Sequence, residues 1–376
     1  MTSNNVDVVI VGGGIVGLAT AYYLGKQGKK TLVIERDAVG SHASGFAYGA
    51  LSPLGGDGIP GPVLPLTIEA MKHHQEFSQS LPEETGVDIQ YRLKPTLSLA
   101  FEEEEAQRLK DSFAWQQKQQ GYKVGWLNAQ EVNSLEPRIA AEALGGVYTE
   151  GPAEVDPYRF VLALLQASEK KGMTIRHGDV TGLIEDGTGL KGVKLGGDQV
   201  SCHEVVLAMG PWTIAASNWI GMPVPIEPLK GQILRMNWQG NAIDCTVGWA
   251  GNYASTKPDG LVWAGTTEEF VGFDETLTVE ARNKIMSSVL KIMPSLESAE
   301  LVQQTACLRP YSTDGLPILG PVPGHKGVYL ATGAGRKGIL LGPVMGSAVA
   351  DLILDGRTDL PVEPFAPGRF SKKPVA

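Results

Sequence analysis

Residues 6–11 read VDVVIV, a short β-branched run that ends in three glycines, and few folds accommodate such a run at the head of a helix. A continuous apolar run of this length fits a strand buried on both faces. Residues 15–27 then carry Ala, Leu and Tyr at helical spacing and stop at Gly28, and TLVIE at 31–35 reads as a second buried strand. The result is a βαβ unit of about 30 residues. Between its first strand and its helix stands Gly12-Gly13-Gly14-Ile15-Val16-Gly17. Gly12 permits a tight turn, Gly14 lets the backbone approach a pyrophosphate, and Gly17 lets helix and strand pack closely. The unpaired N–H groups and positive dipole end of the helix complete an anion cradle. Glu35 closes the second strand, where a carboxylate accepts ribose hydroxyls and repels the 2′-phosphate of NADP. A glycine triplet alone is a weak signal. The full order of strand, glycines, helix, strand and glutamate predicts a dinucleotide site.

At 376 residues the chain exceeds what one hydrophobic core serves, so two packed domains are expected. Helices are predicted at 66–81, 102–120, 156–172, 278–293 and 338–354. Strands are predicted at 89–101, 174–180, 192–195, 204–209, 226–238, 260–265 and 328–332. Helix and strand alternate near both chain ends, while the middle reads as a mixed sheet with helices. The pattern is an α/β nucleotide-binding domain assembled from separated segments, with another domain inserted into it. Residues 40–65 are rich in Gly, Pro and Ser, and a loop of that length inside a domain is usually functional.

Composition narrows the function classes. A net charge of −9 without basic patches argues against nucleic acid and anionic membrane as partners. No apolar run is read as reaching the roughly 20 residues of a bilayer span. The amino terminus lacks the basic start of a signal peptide, so a cytoplasmic location is expected. Cys202, Cys245 and Cys307 show neither metal-ligand spacing nor a disulfide framework, and no metal is expected. The acidic run 102–105 reads as a solvated first helical turn at the positive end of the dipole. Adjacent His73 and His74 point in different directions from a helix and cannot chelate together. The seven tryptophans are scattered and suggest no cofactor box.

Flavin rather than nicotinamide is indicated by two further stretches. Ala43-Ser-Gly-Phe-Ala-Tyr-Gly-Ala50 comes after the ribose-binding strand and offers small residues and backbone N–H groups along a ribityl chain. Gly333-Ala-Gly-Arg-Lys-Gly-Ile339 opens another helix, whose dipole end would stabilise the anionic edge of a reduced flavin.

Six ordered blocks carry a resemblance that runs from Val6 to about Leu354. They are VVIVGGGIVGLATAYYLGKQG, VVLAMGPW (205–212), PLKGQIL (228–234), AGTTEE (264–269), CLRPYSTDGLPILG (307–320) and ATGAGRKGILLGP (331–343). By these the chain resembles the D-amino-acid oxidase superfamily of flavoproteins, and within it the glycine oxidase branch. The resemblance implies a Rossmann-like FAD-binding domain of the glutathione-reductase type (1–85, 150–220 and 305–376). An inserted mixed-sheet α+β substrate domain would comprise 86–149 and 221–304. It also implies Ile15 and Val16 over the pyrophosphate, and Glu35 and Arg36 at the adenosine ribose. Ala43, Ser44, Tyr48, Gly49 and Ala50 would line the flavin, and the Val180 backbone would meet the adenine. Gly210 would join the cofactor set, and Ala334, Gly335, Arg336, Lys337, Gly338, Ile339 and Leu340 would run past the pyrimidine end of the ring.

Oxidation of an amine by flavin needs little acid–base machinery, because a hydride passes from the α-carbon of a neutral amine to flavin N5. The protein must hold the substrate so that this C–H bond points at the ring. A planar guanidinium grips a carboxylate with two charge-assisted hydrogen bonds. Arg309 matches the family's carboxylate-gripping arginine, Arg336 its flavin-side arginine, and Tyr253 the tyrosine that donates a further hydrogen bond to the carboxylate. Arg309 and Arg336 together also suit a dicarboxylate of iminodiacetate type.

The chain departs from family patterns in places. Ala334 replaces a histidine, and Ser255-Thr256 stand where Val-Pro often comes after the tyrosine. Trp263 and Leu340 occupy the places of two lysines of monomeric sarcosine oxidases, so either oxygen or another electron acceptor fits. Cys307 stands at the spacing of the flavin-bonded cysteine of those enzymes. Non-covalent FAD is the expectation, with a bond to Cys307 as the alternative. The resemblance implies oxidation of a small primary or N-substituted amino acid (glycine, sarcosine, a D-amino acid or an iminodiacetate-like acid) to an imine that hydrolyses to a 2-oxo acid. The alternatives are a subunit of a heteromeric opine or amino-acid dehydrogenase, and an FAD-dependent 2-hydroxy acid oxidoreductase. A homo-oligomer is compatible with either.

Overall fold

A computed structural model describes residues 6–371. Its first sheet has six strands in the order Ile318–Pro321, Val328–Thr332, Glu204–Leu207, Val8–Val11, Thr31–Glu35 and Thr174–His177. All neighbours run parallel except the edge strand Ile318–Pro321. Strand periodicity divides the apolar side chains between two faces. Val8, Ile10 and Val33 pack with the helices Ile15–Lys26, Val63–Thr85, Pro157–Lys170 and Gly338–Asp355. Val9, Val11, Leu32 and Ile34 pack with a three-stranded antiparallel sheet, Val180–Asp186, Gly189–Leu195 and Asp198–Ser201. The expected strand over 174–180 is therefore two strands in different sheets. The chain crosses between them at Gly178, whose N–H donates to the Glu35 carbonyl at 2.9 Å.

The second large sheet has eight strands: Glu300–Ser312, Ile226–Asn237, Val262–Gly265, Asn252–Thr256, Thr246–Trp249, Thr96–Ala100, Gly145–Glu150 and Lys123–Asn128. It is mixed, since Thr246–Trp249 runs parallel to Thr96–Ala100 while the other pairs are antiparallel. Helix Val279–Ile292 covers it through Ile285, Val289 and Ile292. A small antiparallel sheet has the order Ala50–Leu51, Ala153–Glu154 and Arg92–Leu93. The expected strand over 89–101 is thus split between sheets, and the loop 40–65 contains the short helix Ala43–Phe46 and the strand Ala50–Leu51. The acidic run behaves as expected: Glu102 and Glu105 form a capping box at the start of Glu103–Gln116.

The segment Gly335–Asp355 corrects one expectation, because it is long and apolar enough to cross a membrane by length and composition alone. Most of it is buried against the protein. Gly342 and Gly346 let it touch the first helix, where a Cβ would press on Ile15 at 2.7 Å or on Ala19 at 2.6 Å. Its interior Pro343 has no N–H for the Ile339 carbonyl four residues earlier. His74 supplies a replacement: its Nε2 lies 3.1 Å from the Ile339 oxygen and 3.0 Å from the Leu340 oxygen. Both partners are acceptors, so Nε2 carries the hydrogen, and the buried Nδ1 is bare and without a partner.

Burial pushes the His74 ring down from 6.5 to about 4. The folded value lies below the unfolded one, so the stabilising effect of the neutral ring is complete above pH 6.5 and is lost as pH falls towards 4. About 3 kcal/mol of stability is expected to disappear over that window from this group. His74→Gln keeps a donor that does not titrate. Urea melts at pH 7 and pH 4.5 should show the variant losing correspondingly less than the wild type, and parallel losses would refute the assignment.

Candidate active site

The amino-terminal cradle takes its shape from glycines that a side chain would close. Gly12 has φ +109°, and a Cβ there would overlap the Ala208 carbonyl, whose carbon would lie at 2.8 Å. A Cβ at Gly17 would overlap the Gly12 carbonyl. Gly14 caps the first helix without a side chain of its own, so the helix N–H groups open towards the cavity. The Ile15 N–H donates to Ser44 Oγ at 3.0 Å, and the Gly13 N–H donates to Glu35 Oε2 at 2.6 Å. A glutamate at the end of the second strand and a serine from the 43–50 segment thus meet at one helix terminus. The arrangement fits the diphosphate and ribose of FAD.

From this cradle a cavity of about 410 Å³ runs between the two large sheets. Gly12, Gly14, Ile15, Val16, Glu35, Arg36, Ala43, Ser44, Tyr48, Gly49, Ala50 and Val180 line it. So do Gly210, Tyr253, Arg309, Ala334, Gly335, Arg336, Gly338 and Ile339. Three of the expected residues lie off its wall. Gly17 sits under the turn, Leu340 is core, and the Lys337 ammonium turns back to donate to the Ser52 carbonyl at 2.6 Å. Burial lowers the Lys337 pKa to about 8.

The Arg309 guanidinium has space because a diagonal neighbour on the paired strand is bare. Arg309 lies on Glu300–Ser312 beside Ile226–Asn237, and any Cβ at Gly231 would occupy the place of its guanidinium. Nη2 donates to Thr266 Oγ1 at 2.7 Å and Nη1 to the Thr267 carbonyl at 3.2 Å. Among the described residues no carboxylate lies within ion-pairing distance of it. Arg336 differs: Nε and Nη2 bind both oxygens of Glu268, and Nη1 donates to Asp57 Oδ2 at 2.5 Å. The Arg336 hydrogen bonds hold the Glu268 carboxyl below its usual range.

Opposite Arg309 the wall is aromatic. Tyr253 and Tyr48 pack in a tilted pair with centroids 4.4 Å apart, and Ile233 and Trp263 complete their cluster. Gly265 makes room for Tyr253, since a Cβ there would lie 2.8 Å from the phenol oxygen. Burial raises the Tyr253 pKa well above 10, so the phenol keeps its proton and can donate it. Behind the wall the buried Lys257 ammonium lies 4.7 Å from the Tyr48 ring and 2.9 Å from Glu154, which also accepts from Arg92 Nε at 2.6 Å. Tyr48 itself is fixed by a hydrogen bond to Thr246 Oγ1 at 3.0 Å. Cys307 is buried on the cavity wall, and desolvation raises its thiol pKa. Little thiolate is present to attack a flavin, which fits non-covalent FAD.

Several residues on the wall or packed behind it carried no expectation from the sequence. Trp212 lies between the Arg36 guanidinium, 4.9 Å from its ring, and Phe273, stacked at 5.6 Å, with His42 at 4.5 Å. The reading of scattered tryptophans overlooked it, although VVLAMGPW contains it. Thr266 and Glu268 stand in AGTTEE and Gly231 in PLKGQIL, so the blocks held a signal whose partners were far away in sequence. Asp57 falls in the loop 40–65 with no local mark. The described residues contain no cluster of three or more metal-ligating His, Cys, Asp or Glu side chains.

The family model of FAD dependent oxidoreductases (DAO) matches residues 7–352. A glycine oxidase of Pseudomonas putida is 30% identical over 370 residues, covering 96% of this chain and 98% of that protein. A glycine oxidase of Geobacillus kaustophilus is 31% identical over 363 residues, covering 96% of each. The crystal structure of glycine oxidase from Geobacillus kaustophilus superposes with a TM-score of 0.92 at 29% identity and covers 98% of each chain.

Proposed function

The chain belongs to the family of FAD-dependent oxidoreductases, and from that premise we propose that it oxidises a small primary or N-substituted amino acid to an imine, which water hydrolyses to a 2-oxo acid. FAD is its cofactor and amino-acid oxidation its general activity. The observation that carries the substrate reading is Arg309, a guanidinium facing the cavity with only Thr266 and Thr267 as partners among the described residues. A partly buried guanidinium paired with neutral oxygens alone retains most of its attraction for a carboxylate.

Each wall residue then has a task. Arg309 binds the substrate carboxylate, and the Tyr253 phenol, kept protonated by burial, donates to it. The two contacts fix the rotation of the α-carbon. Tyr48 and Ile233 present an apolar face that excludes water from the amine side and favours the neutral amine. FAD, when bound, supplies the two-electron oxidant, held by Gly12, Gly14, Ser44 and Glu35 at its diphosphate and ribose end. Arg36 and Trp212 border the same end of the cavity. The 2-hydroxy acid reading has less support. Such a substrate calls for a base beside Arg309, whereas the one histidine among the described wall residues, His42, is bound to Asp37 at 2.9 Å.

Anaerobic titration of the holoprotein with glycine, sarcosine, D-alanine and lactate, monitored by flavin bleaching, tests this function. Bleaching by at least one of the amino acids and none by lactate is expected. Bleaching by lactate alone would assign the site to hydroxy acids. Re-oxidation in air or by an added dye then separates oxygen from another acceptor.

A further inference from the structure

We propose that the cavity is charge-matched to a single carboxylate, with Asp57 and Glu268 acting as specificity residues that exclude substrates bearing a second one. This rests on Arg309 as the carboxylate grip. Two arginines face the same cavity, and a simple count makes it a dicarboxylate site. The contacts of Arg336 change the count. All three of its nitrogens are engaged by two carboxylates, one from the 52–62 segment and one from the 266–278 connection. One cation between two anions leaves a local charge of −1. The neighbouring Lys337 offers no donor at the wall, because its ammonium is turned to the Ser52 carbonyl, and its charge acts from behind on Asp57.

The two ends of the site therefore treat an incoming anion oppositely. At Arg309 it meets a guanidinium with two hydrogen bonds, both to uncharged oxygens, and free donors among its five N–H groups. At Arg336 it meets a filled fork and two like charges. To bind there it must displace Glu268 or Asp57, and the displaced carboxylate loses its only ion-pair partner among the described residues. Like-charge juxtaposition of this kind is how a site rejects a near-homologue of its ligand. The Asp57 and Glu268 side chains are each 41% exposed, so solvent weakens the rejection without abolishing it.

Non-reactive acids test this directly. Acetate and malonate are titrated into the holoprotein, and their binding is read from the perturbed flavin absorption. The wild type is expected to bind acetate more tightly than malonate. Glu268→Gln with Asp57→Asn should raise the malonate-to-acetate affinity ratio at least tenfold, and Glu268→Gln alone should raise it by an intermediate factor, which keeps the test open if the double variant does not fold. Equal gains for both acids, or a wild type that binds malonate as tightly as acetate, would overturn the proposal while Arg309 kept its role. Acetate binding unchanged in Arg309→Met would instead remove the carboxylate grip, and the exclusion with it.

Discussion

Arg309→Met is expected to keep its yellow colour and lose its substrate. The side chain donates to Thr266 Oγ1 and the Thr267 carbonyl, and the hydroxyl keeps its own bonds to the Gln232 and Thr267 carbonyls when the guanidinium is removed. The FAD cradle lies at the other end of the cavity, so the flavin spectrum should persist. Removing one partner of a desolvated carboxylate–guanidinium pair typically costs about 3–5 kcal/mol, a loss of roughly a hundred- to several thousand-fold in affinity. Part of this should fall on kcat, because a substrate released from the fork no longer presents its α-carbon in one orientation. Arg309→Lys keeps the charge without the fork and should lie between. Gly231→Val offers an independent approach, since it displaces the guanidinium without deleting it and should behave like Arg309→Met. Kinetics of the amino acid found to bleach the flavin decide the matter, and an unchanged kcat/KM in Arg309→Met would refute the site.

The part of the fold that is legible in the sequence is the local part. The strands Val8–Val11 and Thr31–Glu35, the helix between them and the glycine turn are consecutive, and their periodicity is strong. Their placement needs no distant contact. The strand Glu300–Ser312 is not legible in this way, because its first four residues are exposed, Leu301 and Val302 included, and Pro310 lies inside it. Only twelve pairings with Ile226–Asn237 make it a strand. The same contrast divides the site. Short motifs reveal Arg309 and Arg336, yet their difference in ion pairing depends on Asp57 and Glu268, which reach Arg336 from positions 279 and 68 residues away. Trp212 likewise gains a role only when Arg36 and Phe273 converge on it. No local pattern encodes such encounters; they come from the way two sheets close on one cavity.

Gly12→Ala should yield a folded protein that no longer retains FAD. Two independent effects oppose the methyl group. At φ +109° an alanine is strained by roughly 1–3 kcal/mol. Its Cβ would also overlap the Ala208 carbonyl, and this neighbour is backbone, fixed by a 2.9 Å bond from the Ala208 N–H to the Val11 carbonyl. No rotamer change relieves that overlap, so strand and turn must part, and the cradle opens where the diphosphate is gripped. Gly28→Ala separates the two effects. Gly28 also has positive φ, +75°, but nothing lies within 4 Å of its added Cβ, and it ends the first helix on the side away from the turn. That control should cost only about 1 kcal/mol of stability and keep its flavin. The absorbance ratio of flavin to protein after gel filtration, with far-ultraviolet circular dichroism as the check on folding, reads both variants. A Gly12→Ala protein with full flavin content would mean that the turn does not hold the cofactor, and loss of flavin from both variants would trace the effect to backbone strain rather than to the closed approach of strand and cradle.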